Sequence, residues 1–331
     1  MNKKNWSLSF CIITVLLISA TVQTEFPQAD ISNGIIHARF YLPDTEKGYY
    51  RSTRFDWSGN MPDLEYKGHT YCSQWFDNYN PITHDAIMGP VESFSPLGYE
   101  EAKPGGHFVQ IGVGILSKLQ DDKYSPFKYY PILNAGVWKL KQQPSSLAFT
   151  HTLQDSLYSY EYIKTETLVK GKPILVIAHS LTNTGKQAIE TNVYNHNLFV
   201  MDKQPAGPGF VVTFPFNVAG IAEGQKGFGT GDLAEIKENK IVFNREFAKR
   251  ESVYSVMQGY GKDSKDYDIK IENHKTGAAV RITSDQPLSK LVFWGSSTIF
   301  SPEPYIQMSV DPGKTFNWKI LYEFYTCAIT N

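Results

Sequence analysis

The chain has 331 residues, with 32 Lys+Arg, 33 Asp+Glu and a formal net charge of −1. Hydrophobic residues at 41% and aromatics at 14% supply a large core and exclude wholesale disorder. The balanced charge argues against nucleic acid or an anionic membrane as the main partner, since both call for a basic surface.

Residues 1–24 open with Lys3 and Lys4, followed by an uncharged run from Trp6 to Ala20. That run falls short of the roughly 20 apolar residues that span a bilayer. The pattern predicts a secretory signal peptide rather than an uncleaved anchor, and hence a secreted or periplasmic protein. No later stretch approaches a membrane span in length or apolarity. With no linker and no shift in composition after it, residues 25–331 read as one domain.

The first polar cluster is Tyr49–Gly59, where Arg51, Arg54 and Asp56 alternate with aromatic residues. A guanidinium fork and a carboxylate both suit a polyhydroxylated ligand, although an Arg–Asp pair that closes a strand end fits equally. The second cluster runs from His84 to Glu92 through Gly89-Pro90. Such a loop is where sites tend to lie, so His84, Asp85 and Glu92 are candidate substrate contacts. The plainer reading makes His84 a turn cap that Asp85 supports. Phe108–Leu116 alternates, with Val109, Ile111, Val113 and Ile115 on one face of a predicted strand. Gly112 and Gly114 lie on the other, where something must approach closely.

Tyr158–Tyr162 alternates aromatic and polar residues, and Ile174–Leu181 is apolar on both faces, as in a strand buried between layers. His179 shares a face with Leu175, Ile177 and Leu181, which marks it as a core histidine. His107 follows the Gly105-Gly106 turn and is expected at the surface. In Thr191–Phe199 a strand would put Asn192, Tyr194 and His196 on one face and Asn195 and Asn197 on the other. Asparagine is a poor strand former, so this density of amides around a histidine is unusual. Glu303 sits between Pro302 and Pro304, which fix the backbone and hold a carboxylate in place; a plain loop glutamate is the alternative. Trp318, Ile320, Tyr322 and Phe324 line one face of a final strand. Gly/Pro turns at 170–173, 183–185, 275–277 and 311–313 punctuate these runs, and no capped 3.6-period helix appears. The expectation is an all-β chain: a large antiparallel sandwich or barrel.

Cys72 and Cys327 are the cysteines beyond the leader, read as two separate buried thiols rather than a bridge. No CxxC, HExxH or tight His/Asp cluster occurs, so neither a metal nor an organic cofactor is expected. The 20 Tyr, 20 Phe and 6 Trp suit either a β-core or the stacking walls of a sugar site.

Taken together, His179–Gly185 leading into Thr191–Phe199, the His84…Gly89 loop followed by Gly98-Tyr99, and Ser301–Pro304 resemble the galactose mutarotase-like (aldose 1-epimerase) superfamily. The loop reads His-Asp-Ala-Ile-Met-Gly-Pro where the family has His-Gly-Gly, and Met201–Gly209 is an insertion. The resemblance implies a β-supersandwich acting on a monosaccharide or oligosaccharide without a cofactor. It implies His196, in its protonated form, as the acid and Glu303 as the base, with His84 and Arg54 holding the sugar. A non-catalytic carbohydrate-binding protein and another sugar enzyme such as a lyase are the alternatives on the same scaffold.

Overall fold

A computed structural model describes residues 26–120, 123–221 and 232–330; the expected signal peptide lies outside them. Its elements are strands, apart from a single 3-10 turn at Ser264–Asp266 among the described residues. They form antiparallel sheets of ten, six, four and three strands. The all-β expectation holds.

The ten-stranded sheet has Ile174–Asn183 and Thr315–Thr326 side by side near its middle. Trp318, Ile320, Tyr322 and Phe324 are all buried on one face, as the alternation predicts. In Ile174–Asn183, however, every second residue is only half-buried. This strand is therefore covered on one face, not between two layers; its apolar outer face stays partly open.

The six-stranded sheet runs in the order Ala219–Ile221, Ser252–Gln258, Lys290–Ser296, Ile299–Val310, Ile189–Leu198, Gly89–Phe94. Strand alternation splits its residues between two cores. Phe94, Val193, Phe293, Phe300 and Ile306 face the ten-stranded sheet in the main core, with Trp318 and Tyr322 opposite. Val91, Leu198 and Ile299 face the other way, into a second core built with Tyr50, Phe55, Trp57, Ile87 and Tyr130. The second core is thus roofed by irregular segments around residues 49–59, 84–88 and 124–130.

Phe108–Leu116 departs from its expected form. It folds as a hairpin, His107–Gln110 against Gly114–Ser117, with the Val113 N–H donating to the Gln110 carbonyl at 3.1 Å. Gly112, at φ +77°, supplies the left-handed turn that a side chain disfavours. The expected close approach is real: a Cβ at Gly112 would lie 2.7 Å from Asp56 Oδ1, and one at Gly114 would lie 2.1 Å from the Asn134 carbonyl oxygen. Cys72 and Cys327 are unbridged; Cys72 is buried, whereas Cys327 is half-buried rather than buried.

Candidate functional site

Pairing register brings the candidate acid and base together. Ile189–Tyr194 pairs with Tyr305–Val310 in one register, and the Phe199–Phe300 bridge continues it. That offset sets His196 across from Glu303, on the same face. Between those two stretches the ladder is interrupted. Phe300 exchanges both backbone bonds with Phe199, so Pro302 and Pro304 turn the same edge toward this neighbour, where proline has no N–H to donate. The Asn197 side-chain amide fills part of the gap by donating to the Pro302 carbonyl at 2.8 Å. Asn197 and Asn195 in turn receive the Tyr322 hydroxyl at 2.9 and 2.7 Å. Asn195 and Asn197 therefore belong to the interior face of a strand whose outer face carries Asn192, Tyr194 and His196.

On that outer face lies a cavity of about 420 Å³, within the usual range of about 300–1,000 Å³ for small-molecule sites. His196 Nε2 stands 3.3 Å from Glu303 Oε1, and both side chains are nearly buried. His196 Nδ1 contacts the Ser301 hydroxyl at 2.5 Å. Burial raises the Glu303 carboxyl to about 7, against the lowering charges of Arg54 and Lys290. Burial also pushes His196 well below its ordinary value, and the Arg54 charge adds to this. Both shifts favour the uncharged forms of the pair, a protonated Glu303 beside a neutral His196. Nε2 then faces the Glu303 carboxyl, and a proton on Nδ1 would be placed to bond Ser301 Oγ. The expected imidazolium is the minor form here, because a buried ring beside a guanidinium resists a positive charge.

Arg54 crosses the cavity wall. Its Nη1 donates to Asp85 Oδ1, and its Nε and Nη2 donate to the Tyr194 hydroxyl at 3.2 and 3.1 Å. Burial opposes its charge, but Tyr194, Asp85 and Glu303 outweigh that and hold it above the ordinary arginine value. Asp85 also meets His84 Nε2 at 2.9 Å. Burial would raise Asp85, yet the His84 hydrogen bond and the Arg54 charge keep it below the usual carboxylate range.

Arg54, Asp85, His196 and Glu303 all line the cavity. His84 does not; it stands behind Asp85, with its ring edge-on to Phe127 at 5.2 Å. Glu92 does not either, and its assignment as a substrate contact is corrected. It pairs with Asn195, whereas Ser93 and Tyr194 face the cavity, so alternation turns Glu92 inward. There it is buried against Lys164 Nζ, His179 Nε2 at 3.0 Å and the Asn195 amide at 2.8 Å. Burial would raise it, but Lys164 and His179 bring it down to about 2. His179 is a core residue as expected, stacked on Trp318 at 4.4 Å. His107 is exposed and meets Asp155.

Sequence reading missed most of the aromatic wall. Trp75, Tyr124, Phe127, Trp294 and Tyr305 line the cavity, and Phe127 is 61% exposed at its mouth. Arg54 lies 5.0 Å from the Phe127 ring centre. Trp294 pairs with Ser301 across strands, so register was the signal that could have found it. Among the described residues no group of three or more His, Cys, Asp and Glu is placed to hold a metal ion.

No family model matches the sequence, and no curated protein does. Solved structures do match. A candidate aldose 1-epimerase from Escherichia coli K12 aligns at 13% identity and a TM-score of 0.55, covering 91% of this chain and 100% of that one. A galactose mutarotase related enzyme from Lactobacillus acidophilus aligns at 11% identity and 0.53, covering 92% and 100%. An aldose epimerase homologue from C. elegans aligns at 12% identity and 0.53, covering 91% and 98%. At these identities the likeness is one of fold: the chain adopts the galactose mutarotase-like all-β architecture.

Proposed function

We propose that this protein is a carbohydrate-active enzyme of aldose 1-epimerase type, interconverting sugar anomers by cofactor-free ring opening. The observation that carries this reading is the contact between His196 and Glu303 inside an aromatic-walled cavity. In a cyclic sugar the hydroxyl to be deprotonated and the ring oxygen to be protonated hang on the same carbon. A base and an acid that serve both must stand side by side, as these two do.

The resting proton first crosses from Glu303 to His196 Nε2. Glu303 then accepts the proton of the C1 hydroxyl, His196 returns its proton to the ring oxygen, and the C1–O bond of the ring breaks. The pair ends as it began, with the proton on Glu303. Rotation of the free aldehyde and the reverse steps close the ring with C1 inverted. Ser301 holds Nδ1 as a donor throughout, leaving Nε2 as the position where the proton comes and goes. Positioned acid and base groups contribute roughly 10²–10⁴-fold each. Arg54 and Asp85 hold hydroxyls, and the aromatic rings stack on the sugar face. Residues 1–24, read as a signal peptide, would deliver this activity to the periplasm or beyond.

Proton NMR of anomer exchange across a panel of free aldoses tests the reading. Exchange of at least one sugar above the uncatalysed rate is expected. A folded protein that binds sugar and accelerates no exchange would favour the carbohydrate-binding alternative.

A further inference from the structure

The cavity that holds His196 and Glu303 does not end at its own wall. A second cavity of about 600 Å³ shares Pro96 and Tyr124 with it. A third, of about 400 Å³, shares Leu97, Gly98, Glu101, Tyr158 and Gln187 with the second. One run of chain borders all three: Ser93–Pro96 the first, Pro96–Glu101 the second, and Leu97, Gly98, Glu101 and Ala102 the third. The strand paired beside it, with its lead-in, borders the same hollows, from Tyr194 back through Glu190 to Gln187. Taken as one trough, the three hollows in series offer room for more than one sugar ring.

We infer that the trough is an oligosaccharide-binding groove, whose substrate presents its reducing end to His196 and Glu303 and lays its following sugars over Tyr124 and Tyr158. This rests on the ring-opening reading of the first cavity. Only the reducing-end unit of a chain has a free anomeric hydroxyl, so that unit occupies the first cavity and the rest of the chain extends outward. Tyr124 borders both the first and second hollows, and Tyr158 both the second and third. Each thus stands where successive rings would stack. Glu100, Glu101 and Glu190 line the second hollow, and neither Lys nor Arg is among its described lining residues. Carboxylates there accept hydroxyl or amide protons and repel anions. The groove therefore suits chains of uncharged sugars and disfavours uronate or sulfated ones.

The test compares each monosaccharide with its trisaccharide: glucose with maltotriose and cellotriose, N-acetylglucosamine with chitotriose, galacturonate with trigalacturonate. For at least one uncharged series, kcat/KM for anomer exchange should be about tenfold or more higher for the trisaccharide. Tyr158→Ala and, as a surface change with little risk to folding, Glu190→Ala should each erase much of that advantage while leaving the monosaccharide rate unchanged. Equal values for mono- and trisaccharide in every uncharged series would overturn the groove, as would a preference for trigalacturonate. If no sugar is turned over, the ring-opening reading fails by itself. The groove is then judged by binding, read from quenching of tryptophan fluorescence. Tighter binding of an uncharged trisaccharide, weakened by Glu190→Ala, supports it; no difference from the monosaccharide overturns it.

Discussion

Glu303 is the residue on which the chemistry and the cost of the site meet. Its carboxyl is raised to about 7 by burial, so its protonated form is the one the fold prefers. That preference contributes stability fully present below its unfolded value of about 4.5 and lost as pH rises through about 7. Glu303→Gln removes the ionisable group and keeps the shape. Near pH 8 its melting temperature, read by differential scanning calorimetry, should equal or exceed that of the wild type, whereas a stabilising role for Glu303 predicts a clear drop. The same value would set the pH dependence of the proposed ring opening. In that mechanism the pair works with one proton, which it loses as pH climbs through about 7. Background-corrected kcat/KM should therefore fall along an alkaline limb near pH 7; a rate that kept rising to about pH 9 would contradict a shared proton. Ser301→Ala leaves Nδ1 without its 2.5 Å partner. It should lower kcat by roughly tenfold, the rate equivalent of about 1.4 kcal/mol, with KM little changed; an altered KM with unchanged kcat would assign Ser301 to sugar binding instead.

At the scale of strands, two faces of one sheet divide the labour. The outer face of Ile189–Leu198 carries Tyr194 and His196, and the inner face carries Asn195 and Asn197. Beneath lies a buried cluster in which Lys164 Nζ meets Glu92 and stands 3.9 Å from Asp56 and 3.8 Å from Glu166. Burial raises Asp56 to about 6 and Glu166 to about 8, while Glu92 is held down at about 2. Lys164 thus neutralises Glu92 first. Lys164→Met strands that carboxylate in the core and should cost about 3–5 kcal/mol, measured by urea unfolding. A loss below about 1 kcal/mol would show that His179 and Asn195 suffice. The Glu92 contribution has its own window: present above about pH 4.5 and lost as pH falls through about 2. This division was half legible in the sequence. Period-2 reasoning separated Tyr194 and His196 from Asn195 and Asn197 correctly. It did not separate Glu92 from Ser93, because a Gly-Pro beside a His and an Asp reads as loop when the neighbouring strands are unknown. The 108–116 hairpin was misread for a related reason. Its hydrophobic alternation continues through the turn, and only the left-handed backbone at Gly112 breaks it.

Over the whole molecule, the architecture was more legible than the cavity. Alternation and Gly/Pro turns recur along the entire chain, so an antiparallel β-fold follows from local signals summed many times. The cavity, by contrast, is made by segments far apart in the chain: Arg54 and Trp75 above, Phe127 at the mouth, His196, Trp294 and Glu303 on the floor. The motifs that resemble a known superfamily pointed to Arg54, His196 and Glu303, which line the cavity, and to His84, which does not. The aromatic wall depends on pairing register and on how the roof folds, and neither is written in local pattern. Central to the proposed function is that His196 and Glu303 act as a single acid–base unit on an anomeric centre. The measurement that tests it most directly is proton-NMR anomer exchange by folded wild type, Glu303→Gln, His196→Asn and the double variant, on a sugar the wild type turns over. Each single variant should lose about 10²–10⁴-fold, and the double variant should be little worse than either. Near wild-type exchange by a folded Glu303→Gln protein, or losses that multiply in the double variant, would contradict it.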